Sequence, residues 1–542
     1  MNTAQAVVSM LELNGIDTLF CLPGVQNDSF FDALYDRTNA IRPIHARHEQ
    51  GCAYMALGYA MASGKPSAYV VVPGPGFLNT TAALATAYAV NAPVLALVGQ
   101  IQQAMIGRNI GLLHELPDQL TIMRGLTKWA DRITSPAEAP GLLNEAFRRL
   151  LSGRRRPVAL ECAMDTWGRK GPVVMPGTAA VPDPCLVDED GVDRAAKLLG
   201  GAQRPLIVVG GGAQEAGDHV RHIAEMLDAP VLTGRMGQGV IDGRHRLSVT
   251  VPAGFRFWGE ADVVLAVGTR LQPQQSSWGM DDNLKIIRVD IDSQELDRQR
   301  KPEIGIVGDA ASTLRSLADK LVGRNAKRNG RAAHVAETKA QANKLIQERL
   351  APQIAYLNAM RAALPEDGIL VDELTQVGYA ARLAYPTIKP RTFLSPGYQG
   401  TLGWGYATSL GAKIAKPDTP VVSISGDGGF LFTGMEMATA AQNGIGVVNV
   451  VFSDGAYGNV KRIQKQTYNN RTIASDLHNP DFVTLAHSFG IASERARSPA
   501  ELGDALTRAI VKRGPTLIDC PVGEFPDPWS LVALTQARAR RS

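Results

Sequence analysis

The residues best placed for chemistry lie in the stretch VVSISGDGGF, where an apolar run delivers Gly426-Asp427-Gly428-Gly429 at its end. Glycines let backbone N–H groups come close to a phosphate, and the positive end of a following helix adds to that attraction. Asp427 puts a carboxylate at the same point, which suits a phosphate only if a hard divalent cation bridges the two. A second apolar run, VVNVVFSDGAYGN, ends in Ser453-Asp454-Gly455-Ala456-Tyr457-Gly458-Asn459. The separation of Asp427 and Asp454 suits a strand end, a helix and the next parallel strand end, so both carboxylates are expected at one edge of one sheet. Two carboxylates, the Ala456 carbonyl and diphosphate oxygens would then complete an octahedral Mg²⁺ shell, with Gly426, Gly428, Gly429, Tyr457 and Gly458 around the phosphates. Either Asp-Gly turn alone would be read as the end of a strand and nothing more. Two of them, each after a buried strand, favour the metal.

Elements able to hold such a site recur along the chain. Short apolar runs, DTLFCLP, AYVVVP, PVLALVG and PVALECA in the first third, alternate with helical stretches, one of them from Leu78 to about Val90. PLIVVGGG, APVLTG, ADVVLAVG and KIIRVDID repeat the pattern, and GILVDE, VVSISGDGG, VVNVVFSDG and PTLIDCPV complete it. A further strand is expected just before Glu49, flanked by His45 and His48, both read as structural. Continuous apolar strands between helices predict parallel sheets covered on both faces. Two polar breaks, Asp165 to Asp190 and Gly323 to Lys344, read as linkers. The fold class is therefore α/β, with three doubly wound, mainly parallel-sheet domains over 1–165, 190–323 and 345–542, consistent with a chain of 542 residues.

Composition excludes several classes. With 45% hydrophobic and 20% charged residues the chain is not disordered. Lys+Arg 56 against Asp+Glu 52 leaves +4, nearly neutral over this length, and aromatics are sparse, so no nucleic-acid partner is expected. The basic runs Arg154-Arg155-Arg156 and Arg538 to Arg541 read as solvated surface. Five scattered cysteines without a CxxC pair predict reduced, buried thiols. No signal peptide or membrane-spanning run is apparent, so a cytoplasmic protein without a membrane partner is expected. LIVVGGGAQEAG has Glu215 where a dinucleotide fingerprint needs its third glycine, which counts against a dinucleotide there.

GDGGF followed by a second ligand loop resembles the diphosphate-binding motif of thiamine diphosphate-dependent enzymes, a GDG and a later NN. Ser453-Asp454 stands at the NN; Asp454 keeps a metal ligand, whereas Ser453 cannot reproduce an amide. Arg47-His48-Glu49-Gln50-Gly51 is similar to the RHEQG segment of the acetolactate synthase, pyruvate oxidase and 2-oxo acid decarboxylase branch, and Pro73 to Asn79, with Gly74 and Asn79, to its SGPGxxN loop. The resemblance covers essentially the whole chain, in the order pyrimidine, central and diphosphate domain. It implies thiamine diphosphate and Mg²⁺ as cofactors, with Glu49 as the carboxyl that activates the aminopyrimidine. In SPGYQGTLGWGY it implies the Gly400 carbonyl as acceptor of the 4′-amino group and Leu402 as the apolar wedge that bends the cofactor.

The resemblance further implies cleavage or carboligation of a 2-oxo acid through a C2 ylide and an enamine. Sites would lie between subunits of a homodimer or homotetramer. Gly24 and Gln26, after the first strand, are expected near the thiazolium, and His114 is a candidate for proton transfer. The central segment GRMGQGVIDGRHRLSVTVPAG lacks the flavin-associated MHGT, and Gly378 replaces the methionine of a QHQMW motif; both speak against FAD. The alternatives are a C–C bond hydrolase or acyl-CoA lyase on the same scaffold and, in another class, a non-catalytic cofactor-binding regulatory subunit.

Overall fold

The computed structural model describes residues 1–538. Eighteen strands form three six-stranded sheets in which every pairing is parallel. The first holds β1 (Thr18–Cys21), β2 (Arg42–His45), β3 (Ser67–Val71), β4 (Val94–Gln100), β5 (Trp129–Ile133) and β6 (Val158–Ala163), in the order β2-β1-β3-β4-β6-β5. The second holds β7 (Pro205–Val209), β8 (Val231–Thr233), β9 (Ser248–Val249), β10 (Val263–Val267), β11 (Lys285–Asp290) and β12 (Ile304–Val307), in the order β12-β11-β10-β7-β8-β9. The third holds β13 (Ile369–Asp372), β14 (Phe393–Leu394), β15 (Val421–Gly426), β16 (Val447–Ser453), β17 (Ala492–Arg495) and β18 (Thr516–Pro521), in the order β14-β13-β15-β16-β18-β17. The first and third sheets share one strand order, so the outer domains are topological copies. The second has the order of a dinucleotide fold.

The twelve inner strands are those that the apolar runs predict, because a strand covered on both faces needs apolar side chains throughout; β4, VLALVGQ, is buried at all seven positions. The six edge strands carry no such run. The strand expected between His45 and His48 instead ends at His45. The helix expected from Leu78 is broken: a turn over Pro75–Leu78 precedes the helix Thr81–Val90, with Asn79 and Thr80 between them.

Two further expectations change. The stretch Gly323 to Lys344 is only partly a linker, because a helix spans Arg331–Ala363, bent at Leu350 just before Pro352. Val335 and Ala342 pack into the second domain's core and Ile346, Leu350, Ile354 and Leu357 into the third's, so this helix is a splint between them. The run Arg154 to Arg156 is solvated at Arg155, but Arg154 and Arg156 are half-buried. Arg154 bonds Asn91 Oδ1 at 3.0 Å and pairs with Asp292 and Glu295; Arg155 bonds the Gly64 carbonyl; Arg156 stacks on Tyr88 with its guanidinium carbon 4.0 Å from the ring centre. Arg538 is likewise buried, bonded to the Trp258 carbonyl and to Asp281, whereas Arg540 and Arg541 lie outside the described residues.

The outer domains meet where the helix Glu49–Ser63 crosses Trp404–Ala415. The contact is backbone on backbone: a Cβ on Gly58 would lie 1.9 Å from the Thr408 carbonyl oxygen, and one on Gly411 would lie 1.8 Å from that of Met55. Four cysteines are buried free thiols and Cys185, in the first linker, is an exposed one. Among the described residues no helix is long and apolar enough to cross a membrane.

Candidate functional site

β15 and β16 pair in parallel with Gly426 opposite Phe452, so their carboxyl ends bring Asp427 and Asp454 to one edge of the third sheet. Asp427 is almost fully buried. Its Oδ1 accepts the Gly428 N–H at 2.9 Å, and its Oδ2 accepts Gly455 N–H and Asn479 Nδ2, both at 2.7 Å. Asp454 accepts the Ala456 N–H at 3.1 Å and Gln376 Nε2 at 2.7 Å. Gln376 is oriented in turn: its Oε1 accepts Arg462 Nη2 at 3.0 Å and Phe525 N–H at 2.8 Å, leaving the amide nitrogen to face Asp454. A carboxylate offers about four lone-pair sites, so both aspartates keep capacity for a cation. The Asp454 carboxyl is pushed up to about 6, first by burial and then by the charge of Asp427.

A cavity of about 240 Å³ opens over these groups, lined by Gly426 to Gly429, Asp454, Ala456 to Val460, Glu373 to Val377 and Leu402, among others. Leu402 is 40% exposed and faces this space instead of the core. The glycines are required by packing as well: a Cβ at Gly428 would lie 2.5 Å from the Tyr457 ring, and one at Gly429 would lie 2.0 Å from Glu373 Oε1. Glu373 is fully buried, its carboxyl pushed up to about 7 chiefly by burial, while Gly403 N–H donates to Oε1 at 2.7 Å. Next to it Asp372 is also pushed up to about 7 by burial, opposed by Arg382. A side chain at Gly378 would strike Asp372 Oδ1 at 2.2 Å, which accounts for glycine at that position. Among the described residues no group of three or more His, Cys, Asp or Glu forms a metal cage. A cation at Asp427 and Asp454 would therefore draw on ligand oxygens too, and hard carboxylate and carbonyl oxygens fit Mg²⁺.

A second group gathers at the carboxyl edge of the first sheet. Glu49 is the first residue of its helix, and its Oε2 accepts Asn79 Nδ2 at 3.0 Å; the break after Leu78 frees Asn79 to do this. Gly24 and Gly76 both pack on Val72: a Cβ on either would lie 2.6 Å from a Val72 methyl carbon, and one on Gly76 would also lie 3.6 Å from Glu49 Oε1. Gly74 lies under His114: a Cβ there would be 2.5 Å from the His114 carbonyl oxygen. Gln119 fixes the loop by accepting Gly74 N–H at 3.0 Å. Gln26 donates to the Leu113 carbonyl at 3.3 Å. His114 has a left-handed backbone, φ 68°, uncommon outside glycine and frequent at functional sites. Its Nδ1 and Gln26 Oε1 are buried with no partner among the described residues. His48 caps the helix through Nδ1, which accepts Gln50 N–H at 3.2 Å, a structural role.

The two groups do not share a cavity, since the lining of the diphosphate-side cavity runs from Glu373 to Phe525 and includes nothing from the first domain. Asn479, Gln376, Glu373 and Glu436 escape sequence reading. Each is placed by the fold alone. In the second domain the turn after β7 is closed against β10, where a Cβ on Gly212 would meet Gly268 Cα at 2.8 Å. A cavity of about 260 Å³ lies beside it, with the Arg391–Glu215 ion pair at its wall.

Two loops at corresponding edges of two matched sheets, one acidic and glycine-rich, the other bearing Glu49, invite comparison with known proteins. Three family models match in order: "Thiamine pyrophosphate enzyme, N-terminal TPP binding domain" over residues 1–122, its central domain over 192–317, and its C-terminal TPP binding domain over 375–520. A probable 2-ketoarginine decarboxylase, AruI, of Pseudomonas aeruginosa is 32% identical over 529 residues, covering 96% of this chain and 94% of its own length. The chain belongs to the thiamine pyrophosphate enzymes. A probable acetolactate synthase large subunit of Methanocaldococcus jannaschii is 33% identical over 554 residues (96% of this chain, 91% of its own), and an acetolactate synthase of Arthrospira platensis 29% over 580 (98% and 96%). In this thiamine pyrophosphate enzyme the matched outer domains are the two with the same strand order, and they carry the Glu49 and Asp427 loops.

Proposed function

We propose that the chain is a thiamine diphosphate- and Mg²⁺-dependent enzyme that decarboxylates or ligates 2-oxo acids. The observation that carries this reading is the pair of complementary half-sites, Asp427 with Asp454 on the third domain and Glu49 with Asn79 on the first. Both named functions among the relatives, 2-ketoarginine decarboxylase and acetolactate synthase, accord with it. When bound, the cofactor supplies a nucleophilic carbon and a sink for the electron pair left by CO₂. The chain's own residues do the rest. Asp427, Asp454 and the Ala456 carbonyl hold the cation that anchors the diphosphate. Leu402, on the cavity wall, would press on the cofactor, and the carbonyl of Gly400 would accept the 4′-amino group. Glu49, held by Asn79, shares a proton with the pyrimidine ring. His114 and Gln26, each with an unused buried atom, would move or orient the substrate's proton.

The halves are proposed to meet across two copies of the chain, in a homodimer or a pair of such dimers. Val25, Leu78 and Leu113 near the Glu49 half and Leu402, Leu431 and Phe432 near the Asp427 half are apolar and 40–66% exposed, as suits a covered surface. The reading includes no flavin, because the central segment lacks the flavin-associated MHGT and Gly378 stands where the QHQMW motif has methionine. It also includes a reducing, cytoplasmic setting, in keeping with five free thiols. The test is a panel of 2-oxo acids, a guanidino-bearing one among them, assayed for CO₂ and product. Aldehyde with CO₂ marks a decarboxylase and a hydroxyketone or acetohydroxyacid marks a carboligase. Acid products without CO₂ would point to the hydrolase alternative and refute the reading.

A further inference from the structure

Glu436 belongs to the third domain, yet its carboxylate is spent on the first. It is fully buried. Its Oε1 and Oε2 accept the Arg47 N–H at 3.2 and 3.1 Å, Oε1 accepts the His48 N–H at 3.1 Å, and Oε2 accepts Thr439 Oγ1 at 2.6 Å. Arg47 and His48 immediately precede Glu49. A Cβ on Gly51, in the first turn of the same helix, would lie 2.3 Å from Glu436 Oε1, so glycine is what lets the carboxylate close on the helix start. Burial raises the carboxyl, and the Thr439 hydroxyl, the N–H donors of Arg47 and His48 and the nearby His48 ring oppose that rise. A negative group at the amino end of a helix is also favoured by the helix dipole. A second tie runs the same way, Arg47 Nη2 donating to Gln442 Oε1 at 3.3 Å.

We propose that Glu436 is the positioning residue for Glu49: a charge-assisted cap, reaching across the domain boundary, that fixes where the Glu49 helix begins and so where the Glu49 carboxyl points. The inference rests on the reading of Glu49 as the carboxyl that serves the pyrimidine ring. It has a consequence for the assembly. If Glu49 and Asp427 of one chain serve different sites, Glu436 links the metal-side segment of one site to the activating carboxyl of the other through a single buried side chain.

The experiment compares wild type, Glu436→Gln and Glu436→Ala. Hydrogen exchange on the protein without cofactor reads the cap directly. In Glu436→Ala the amides of Arg47 and His48 should exchange at least tenfold faster, those of β3 and β4 being unchanged. Glu436→Gln, which keeps one acceptor oxygen, should fall between. With Mg²⁺ and thiamine diphosphate, kcat on the best 2-oxo acid should fall tenfold or more in Glu436→Ala, while cofactor affinity by calorimetry changes less than threefold and Gln restores part of the rate. A positioning role also predicts that Glu436→Ala adds no further loss in a Glu49→Gln background, whereas an unrelated structural defect would multiply with it. Unchanged exchange at Arg47 and His48, or fully multiplicative losses, overturns the proposal. Should Glu436→Ala not fold, Glu436→Gln decides on the same two readouts. If wild type binds no thiamine diphosphate, the reading of Glu49 fails, and the exchange result still judges the cap.

Discussion

Replacing Glu373 by glutamine tests how the cavity floor is built. The carboxyl is fully buried and held near 7, against 4.5 for the free side chain, with burial as the main cause and the Gly403 N–H opposing it. Below 4.5 the group is neutral whether the chain is folded or not. As pH rises through the interval to about 7 the unfolded chain ionises first, so stability is lost across that window and the loss levels off above it. The difference of about 2.5 units corresponds to about 3 kcal/mol at pH 8. Glutamine, which mimics the neutral acid and can still accept from Gly403, escapes this cost. Thermal unfolding of the cofactor-free protein should therefore show Glu373→Gln melting above wild type at pH 8, with the gap narrowing by roughly 2 kcal/mol towards pH 5. A gap that stays constant with pH, or a variant that melts lower at pH 8, would refute the assignment of a neutral or costly carboxyl beneath Gly429.

Three shorter predictions concern the two half-sites and their contact. Glu49→Gln keeps the hydrogen bond to Asn79 but cannot share a proton, so steady-state turnover should drop about 10²–10⁴-fold with cofactor still bound by calorimetry; undiminished turnover sinks the activation route. Leu402→Ala removes a half-exposed side chain, so Tm should hold within a few degrees while kcat falls about 10²-fold through a misplaced cofactor; equal kcat would make Leu402 mere lining. Gly58→Ala puts a methyl 1.9 Å from the Thr408 carbonyl oxygen and should cost about 1–3 kcal/mol, read as a lower Tm; a neutral substitution would show that the two crossing helices can part.

What the sequence makes legible follows from how burial writes itself into residue types. Inner strands such as β4 and β15 are covered on both faces, so nearly every position is apolar and the run stands out. Edge strands such as Trp129–Ile133 and Ala492–Arg495 are partly exposed and short, carry charge, and leave no apolar run to mark them. The acidic glycine loops are equally legible, because turns that pack against Tyr457 and Glu373 admit no side chain. The capping and orienting groups are not. Asn479, Gln376 and Glu436 act through partners 52, 78 and up to 389 positions away, and only the folded chain sets those distances. Arg154 makes the same point: within a basic run it looks solvated until a neighbouring domain supplies Asp292 and Glu295.

The most direct test of the central claim is calorimetric titration of thiamine diphosphate into wild type and Asp427→Ala, each with and without Mg²⁺. If Asp427 and Asp454 anchor the diphosphate through a divalent cation, wild type binds only when Mg²⁺ is present, and Asp427→Ala, still folded by circular dichroism, binds about 10²-fold or more weakly than wild type in Mg²⁺. Binding by wild type that ignores Mg²⁺, or binding by Asp427→Ala as tight as wild type, would contradict the account.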